Sequence, residues 1–372
     1  MTKYIIIGAG AFGLHTALSL RESDNNAVIT VLDKNMKNSS SLNGGNGIIY
    51  DPSSYLTDFL KISFDEKYMY SNDIYFKEIN QTWALMFGLN YLFKNKTNDE
   101  IINVLDSHEK NKCKNSNVHD KFYWKQIIQL CIESNINIQD NTEVLSYHPN
   151  NDKTIRVKTK SGFLTCNKLI ICTANNISLI NHFPEVNLIQ CISGLSFIIK
   201  VRNKLPDCFH CDNGFFIAPY SKIDSLMKVC CHLEIGYDKG NYIIDEKNPE
   251  YVKVIEFILS QPEVQKYNPT SIVQVWRGTR AVTYDTLPFF TKIENNVYWF
   301  TGGSFSGCRV APIFSKYFVN FISDKEFFLL PKTIDPTINR LISMRLTYLF
   351  IVYIILFLII RKVYYIVRTY KL

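Results

Sequence analysis

The chain has 372 residues, of which 47% are hydrophobic and 20% are charged, so it is long enough to bury a sizeable core in two domains or one elaborate domain. Its formal net charge is +7, but the segment from residue 331 to the end holds seven basic residues and one acid. The remainder is nearly neutral, which argues against a nucleic-acid-binding surface.

Two features bear on the compartment. An apolar strand is predicted to begin at residue 3, so no secretory signal is expected. The ten cysteines show no spacing typical of a disulfide framework. We therefore expect reduced thiols in the cytosol.

Residues 3–7 are Lys-Tyr-Ile-Ile-Ile, a short apolar run that predicts a buried parallel strand. Gly8, Gly10 and Gly13 follow it with the spacing G-x-G-x-x-G. Glycine at these three positions permits a tight turn, the approach of a pyrophosphate to the backbone, and close packing of the next helix on the sheet. The pattern predicts a dinucleotide site.

A helix predicted over residues 14–21 offers its N-terminal N–H groups and its dipole to the phosphates. A second predicted strand, at residues 27–32, ends in Asp33, which lies 20 residues after Gly13. The fingerprint places an acceptor for a ribose hydroxyl there. An acid at this position favours an unphosphorylated ribose, and so FAD or NAD over NADP.

The glycine-rich residues 42–47 predict a loop whose backbone lies near the middle of the cofactor, with a merely flexible loop as the alternative. Helical patches are expected at residues 55–62 and 79–93, and an exposed, mobile excursion over residues 94–117. The next pattern predicts one helix and five short strands, at residues 121–133, 136–138, 143–145, 154–158, 163–165 and 168–172.

Alternating β-branched and aromatic residues between positions 188 and 275 predict an antiparallel, substrate-side sheet. Its strands are expected at residues 196–201, 214–218, 227–233 and 242–244, with a helix at residues 250–261. Residues 276–288 are expected to be dense in turns. A second strand, glycine loop and helix follow at residues 297–300, 301–307 and 311–322, which suggests that the C-terminal end returns to the cofactor.

Together these pieces resemble the D-amino-acid-oxidase-like superfamily of FAD-dependent oxidoreductases, which includes glycine oxidase, sarcosine oxidase and D-amino-acid dehydrogenase. Residues 41–45 resemble the family's loop under the flavin, and residues 118–120 and 141–144 resemble its second cofactor-contact segment. The most specific match is residues 278–288, which resemble the family's Gly-x-Arg-x-x-Thr-x-Asp-x-x-Pro.

The fingerprint and the resemblance imply a set of FAD contacts spread over the chain. Val144 matches the residue whose backbone meets the adenine end of the cofactor, and Ala281-Val282 stand where some members attach the flavin to a cysteine, so we expect non-covalent FAD. The expected contacts are Gly8, Gly10, Ala11, Phe12, Gly13, Asp33, Lys34, Ser41, Asn43, Gly44, Gly45, Val144, Thr173, Gly302, Gly303, Ser304, Phe305, Ser306 and Gly307.

Three positions depart from the family pattern. Asn175 stands in place of a small residue or glycine, Tyr220 in place of an arginine after proline, and Cys308 in place of a histidine found in sarcosine-oxidase-like members. These departures leave FAD binding expected and the substrate open.

In such enzymes the flavin is the reactive group and takes a hydride from a carbon that bears an amine or a hydroxyl. Arg280, which matches the family's arginine, is the candidate for holding a substrate carboxylate, with structural pairing to Asp285 as the alternative. Tyr220 is the second catalytic candidate, through its hydroxyl, or it is a packing residue. Arg277 is expected to face solvent, and His232 to be a satisfied core histidine.

Cys208 and Cys211 form a single CxxC, and the sequence Cys230-Cys231-His232 could complete four zinc ligands. One such pair beside one Cys-Cys-His is only suggestive. We predict no metal and treat these cysteines as ordinary thiols.

Residues 346–360 form an uncharged run of 15 residues, with further apolar residues to position 367. A helix of the shorter run spans about 22 Å against a hydrocarbon core of roughly 30 Å, but the flanking Arg345, Arg361 and Lys362 can snorkel. The run predicts a single-pass C-terminal anchor with the flavin domain in the cytosol. A buried helix in a dimer interface and an interfacial helix are the alternatives.

The expected fold class is mixed α/β: a Rossmann-like FAD-binding domain with an inserted antiparallel substrate domain and a C-terminal transmembrane helix. The expected function is oxidation of a small amine, amino acid or 2-hydroxy acid, with oxygen or a quinone as electron acceptor. The alternative is a membrane-held flavin sensor or interaction module with lost or altered turnover. The predicted parts are the FAD domain at residues 1–60, 118–190 and 272–325, the cap at 61–117 and 191–271, the linker at 326–345 and the membrane span at 346–367.

Overall fold

A computed structural model of the chain describes residues 1–39, 120–205, 210–212, 215–221, 223–235, 242–283, 288–303, 307–324, 339 and 342. The predictions for residues 42–47, 55–62, 79–93 and 94–117 lie outside these ranges.

In the described ranges the helices are α1 (Ala11–Ser23), α2 (Asp120–Glu133), α3 (Pro249–Ser260), α4 (Pro262–Gln265) and α5 (Gly307–Ile322), with short 3-10 helices at Met36–Asn38 and Pro184–Leu188. The strands there are β1 (Lys3–Ile7), β2 (Val28–Leu32), β3 (Asn137–Gln139), β4 (Val144–Pro149), β5 (Ile155–Thr159), β6 (Gly162–Cys166), β7 (Lys168–Ile171), β8 (Gln190–Val201), β9 (His210–Asp212), β10 (Phe215–Ser221), β11 (Leu226–Ile235), β12 (Tyr242–Ile244), β13 (Pro269–Val282), β14 (Phe289–Glu294) and β15 (Val297–Thr301).

The first sheet has the strand order β14-β15-β7-β1-β2-β3 and is parallel except for the edge strand β14. Side chains alternate between its two faces, and both faces are buried. Ile6, for example, belongs to one hydrophobic cluster, and its neighbours Ile5 and Ile7 belong to another. Burial on both faces explains why these strands are continuous apolar runs in the sequence.

Helices α1, α2 and α5 cover the first face, and α1 and α5 pack against each other. Thr16 Oγ1 of α1 donates a hydrogen bond to Ser315 Oγ of α5 over 3.3 Å. Phe12 at the start of α1 stacks on Phe300 of β15, with ring centroids 4.3 Å apart. Helix α1 is therefore packed together with β15 and α5 on this face.

A small antiparallel sheet, β4-β5-β6, contributes to the cluster on the other face. Tyr147, Ile155 and Val157 of that sheet pack there with Trp299 of β15. The Tyr147 hydroxyl donates a hydrogen bond to Glu294 Oε1 over 2.9 Å. Ile342, close to the C-terminal segment, also packs against this cluster.

The second large sheet is antiparallel, with the order β12-β13-β8-β11-β10-β9. Its longest contact joins β13 to β8 from Pro269 to Val282, with irregularities between Pro269 and Ser271 and between Ile272 and Gln274. Phe197 and Val275 of this sheet pack against Tyr251 and Ile255 of α3. One face is thus covered by α3, and the other face remains for the site described below.

Most predicted elements are present with ends shifted by a few residues, and the antiparallel character of residues 188–275 is confirmed. The expectation that residues 276–288 are dense in turns is wrong for residues 276–282, which continue β13 because β8 is long enough to pair with them. The predicted domain boundary after residue 271 falls inside this strand.

In the parts of the chain that the structure describes, no helix has the length and apolar character needed to cross a membrane. The predicted span at residues 346–367 lies outside those parts.

We expect stability to depend on pH through His15 of α1, whose side chain is 2% exposed. Burial lowers the pKa of His15 from 6.5 to about 3. As the pH falls from 6.5 towards 3, the unfolded chain binds a proton that the folded chain excludes, so the free energy of unfolding decreases. The melting temperature should therefore fall more steeply between about pH 7 and pH 4 in the unaltered protein than in His15→Gln. Parallel curves for the two proteins would contradict this, whatever the offset between them.

Candidate functional site

The turn after β1 lies where the carboxyl ends of three parallel strands meet. Gly8 has φ +103°, and its N–H donates a hydrogen bond to the carbonyl oxygen of Leu32 over 2.7 Å. A Cβ at this position would lie 2.5 Å from the carbonyl oxygen of Cys172. Both the backbone angle and the space therefore require glycine here.

Gly13 allows α1 to start directly against this turn. A Cβ on Gly13 would lie 1.8 Å from the carbonyl oxygen of Gly8, a distance that no side chain tolerates. Gly10 is the N-cap residue of α1, makes no side-chain cap bond, and the first helical turn contains no acid. The positive end of the helix dipole is thus not neutralised by an acidic side chain of that turn, as an anion-binding helix end requires.

The carboxylate of Asp33 is hydrogen-bonded to the glycine turn. Its Oδ2 accepts a hydrogen bond from the N–H of Ala9 over 2.7 Å, and its Oδ1 accepts one from the N–H of Asn35 over 2.8 Å. Burial raises the pKa of Asp33, and these two N–H groups oppose that shift. A carboxylate has about four lone-pair sites, so two acceptor sites remain for ribose hydroxyls.

The second glycine loop lies against the first. Gly302 has φ +82°, and a Cβ on Gly303 would lie 3.1 Å from the ring of Phe12. Thr301 Oγ1 donates a hydrogen bond to the carbonyl oxygen of Ala174 over 2.9 Å, which connects β15 to the loop after β7. Helix α5 begins at Gly307, so two helix N-termini and two glycine loops converge here.

The uncovered face of the second sheet contributes the other half of the site. Ser196 of β8 is paired with Trp276 of β13 and with Cys230 of β11, so these three side chains share one face. Ala218 and Cys230 on this face belong to the same hydrophobic cluster as Phe12. The face is therefore turned towards the glycine turn.

Arg280 lies on this face, because it is four residues after Trp276 on the same strand. Its side chain is half-buried; burial lowers the pKa of its guanidinium, and Cys230 opposes that shift. A guanidinium stays protonated in proteins, so Arg280 is a fixed cation on the face. Arg277 lies on the opposite face and is 1% exposed, so the expectation that it faces solvent is wrong, and β13 is an interior strand between β12 and β8.

The structure adds side chains that the sequence analysis missed. Lys228 of β11 is 4% exposed and lies two residues before Cys230, on the same face as Arg280. Cys230 Sγ donates a hydrogen bond to Ser196 Oγ over 3.4 Å. A lysine inside a predicted apolar strand is the sequence signal that could have indicated Lys228.

Other predicted site residues are placed less centrally. Tyr220 is half-buried in an irregular part of β10 between Pro219 and Ser221, Lys34 is exposed, and Val144 begins β4. Thr173 Oγ1 donates a hydrogen bond to the carbonyl oxygen of Asn176, which shapes the loop after β7. Outside the described residues lie Ser41, Asn43, Gly44, Gly45, Ser304, Phe305 and Ser306.

Among the described side chains, no group of three or more His, Cys, Asp or Glu residues could hold a metal ion. Cys131, Cys166, Cys172, Cys191 and Cys230 are not joined in disulfide bonds. The side chains of Cys208, Cys211 and His232 are not among those described, so the prediction that they hold no metal stays a prediction.

Comparison with protein families gives the class of this protein. The model of the FAD dependent oxidoreductase family, DAO, matches residues 113–320, which is more than half of the chain. The glycine turn at residues 8–13 lies outside the match, but β1 pairs directly with β7 inside it. The chain belongs to this family and is an FAD-dependent oxidoreductase.

Solved structures share the fold at low sequence identity. Glycine oxidase from Bacillus cereus ATCC 14579 has a TM-score of 0.56 and 17% identity, over 90% of this chain and 100% of that one. L-proline dehydrogenase from P. horikoshii has a TM-score of 0.54 and 14% identity, and the match covers 88% of this chain and 95% of that one. Fructosyl amine:oxygen oxidoreductase (Amadoriase I) from Aspergillus fumigatus has a TM-score of 0.59 and 13% identity, and the match covers 90% of this chain and 88% of that one. No curated protein matches the chain.

The described residues fit the cofactor of the family. Gly8 and Gly13 let the turn and the start of α1 pack without a backbone clash, and the N-terminus of α1 has no acidic first turn. Trp276 Nε1, on the site face, is buried without a hydrogen-bond partner among described residues. Trp299 Nε1 has the same property but lies in the cluster behind the sheet, so only the Trp276 N–H bears on the site. The individual FAD contacts stay predictions.

Replacing Gly13 with alanine should abolish FAD retention, because the Cβ would force the Gly8 carbonyl and the start of α1 apart. The matched control is Ser19→Ala on the same helix, since the buried Ser19 Oγ has no hydrogen-bond partner in the described structure. The flavin-to-protein ratio after purification measures the effect, with circular dichroism to confirm folding. Gly13→Ala protein that is folded and as yellow as the control would contradict this assignment.

Proposed function

We propose that the protein oxidises a small amine or amino acid whose carboxylate is held by Arg280. The observation that carries the proposal is that Arg280 lies on the same sheet face as Trp276, Ser196 and Cys230, and that Cys230 shares a hydrophobic cluster with Phe12 of the glycine turn. A guanidinium matches a carboxylate with two parallel N–H donors, and in a half-buried position that contact is stronger than in water.

FAD, when bound, supplies the oxidant and accepts a hydride from the substrate carbon that bears the nitrogen. The chain's own residues orient the reactants. Arg280 binds the carboxylate and thereby sets the position of the adjacent carbon, and the apolar residues of the face, such as Ala218 and Ile198, exclude water. Asp33 and the glycine turn would hold the nucleotide end of FAD.

The names of the structural relatives agree with such a substrate. They include a glycine oxidase, an L-proline dehydrogenase, an iminodiacetate oxidase and a fructosyl amine oxidoreductase, all named for nitrogen-bearing compounds. Because the shared feature is nitrogen, we favour an amine or amino acid over a 2-hydroxy acid. Both oxygen and a quinone remain proposed acceptors.

Replacing Arg280 with alanine should weaken the flavin's reduction by amino acids and leave FAD bound. Loss of a charge-assisted bidentate contact costs about 2–4 kcal/mol, which is roughly thirty- to a thousand-fold in apparent affinity. Arg280→Lys should recover part of this loss. The measurement is anaerobic bleaching of the flavin across a panel of small amino acids and amines.

Arg156→Ala is the control, because Arg156 is an exposed arginine of β5 on the small sheet. The assignment of Arg280 is wrong if its alanine variant is reduced by amino acids as readily as the control. If no compound of the panel bleaches the unaltered protein, the proposed substrate class is wrong and the sensor alternative gains support.

We further propose that residues 346–367 anchor the protein to a membrane, with the flavin domain in the cytosol. The support is the uncharged run at residues 346–360 and the basic residues on both sides of it. Ile342, four residues before the run, packs against the core cluster that contains Trp299.

Fractionation tests the anchor. The full chain should sediment with membranes and resist alkaline carbonate, whereas a chain ending at residue 345, which keeps Ile342, should be soluble and yellow. A chain ending at residue 335 is a poorer comparison, because it loses the Ile342 contact as well. Full-length protein that stays in the soluble fraction without detergent would overturn the anchor.

A further inference from the structure

We propose that the indole of Trp276 limits the size of the substrate group accepted beside Arg280. Gly278 makes this position of the indole possible, because it has no side chain in the space that the ring occupies. The inference rests on the proposed role of Arg280 in binding the substrate carboxylate. It concerns a residue of the site that the family match and the sequence motifs leave without a function.

The Trp276 ring occupies the volume of a missing side chain. A Cβ built on Gly278 would lie 2.0 Å from both Cη2 and Cζ3 of Trp276 and 3.1 Å from Cε3. The outer edge of the six-membered ring therefore lies over Gly278, one same-face residue closer to Arg280 than the Cα of Trp276. No side chain larger than hydrogen is compatible with this arrangement.

The neighbouring strand leaves the same space open. Gly278 is paired with Gly194 of β8, so two adjacent strands lack a side chain at this point of the sheet. The next pair on the same face is Arg280 with Ile192. The sheet thus has a depression between the Ser196–Trp276 pair and the Ile192–Arg280 pair, and the indole extends into it.

The Trp276 ring is buried but is not part of the hydrophobic clusters that form the core of the described residues. Trp276 is 3% exposed, yet it belongs to none of the three hydrophobic clusters that the described residues form. Its Nε1–H, as noted above, has no hydrogen-bond partner among those residues. Buried indole N–H groups usually have an acceptor, so the environment of this ring is suited to a bound polar molecule.

The geometry relates the ring to substrate size. Successive residues on one face of a strand are about 6.8 Å apart, so the space beside Arg280 is bounded by whatever covers residue 278. A carboxylate held by Arg280 brings the rest of the substrate against this boundary. A flat, rigid indole leaves room for a small group, and a bulky group meets the ring.

Two carboxylates of different size, acetate and benzoate, serve as probes, and their binding is followed by the change in flavin absorbance of the holoenzyme. In Trp276→Ala the affinity for benzoate relative to acetate should rise by about tenfold or more, since one methylene in an apolar pocket is already worth roughly 10- to 200-fold. Trp276→Phe should lie between the two, and it keeps the test valid if the alanine variant folds poorly.

Gly278→Ala completes a double-mutant cycle. In the presence of Trp276 the new Cβ must push the ring off the strand and into the substrate space, so both carboxylates should bind at least about tenfold more weakly. In the Trp276→Ala background the same change should alter binding by less than about twofold. Melting temperature and flavin content are measured for every variant, because a purely structural role would change these and leave the benzoate-to-acetate ratio constant.

An unchanged benzoate-to-acetate ratio in both Trp276 variants would overturn the proposal, as would a Gly278→Ala effect of equal size in the two backgrounds. If the cycle behaves as expected but Arg280→Ala binds both probes as tightly as the unaltered protein, the role of Arg280 fails and that of Trp276 stands. Unaltered holoenzyme that binds neither carboxylate overturns both.

Discussion

The hydrogen bond from the Ala9 N–H to the Asp33 carboxylate is the contact on which the site depends, because it joins the glycine turn to the end of the second strand. The Gly8 N–H donates a hydrogen bond to the Leu32 carbonyl oxygen, and Gly8 lies close to the Cys172 carbonyl oxygen. These contacts together bring the carboxyl ends of β1, β2 and β7 close to one another. Helix α1 can begin there only because Gly13 has no side chain. Ligands of open parallel sheets bind at this edge, and the chain belongs to the FAD dependent oxidoreductase family.

The second constraint is that residues far apart in the chain complete this edge. Gly303 lies against Phe12, which stacks on Phe300, so the last strand and helix α5 are built onto the first turn. The antiparallel sheet presents Arg280, Trp276, Lys228 and Cys230 on one face. Ala218 and Cys230 of that face belong to the hydrophobic cluster that contains Phe12 and Phe300. A cation and an aromatic ring therefore lie on the face turned towards the glycine turn, as the proposed substrate binding requires.

Local patterns predicted the elements well where one physical cause dominates. The β-branched runs of β1, β2 and β7 read as strands because both faces of the parallel sheet are buried, and the G-x-G-x-x-G spacing located the turn because only glycine fits it. The predictions for residues 276–282 and for Arg277 failed for another reason. Polar and glycine residues resemble a turn when read alone, but β8 supplies a hydrogen-bonding partner over their whole length, and Arg277 is buried as a result.

The sequence by itself determined the position of the glycine turn, the acid that follows the second strand, the class of fold and the candidate arginine, because each depends on residue types at fixed local spacing. Only the tertiary structure decided which side chains share the site. The pairing of Gly278 with Gly194 and the burial of Lys228 depend on strand register, and a shift of one residue would turn Arg280 to the face covered by α3. Register is set by the sum of contacts across the sheet, and for that reason the position of the Trp276 ring over Gly278 could not be read from the sequence.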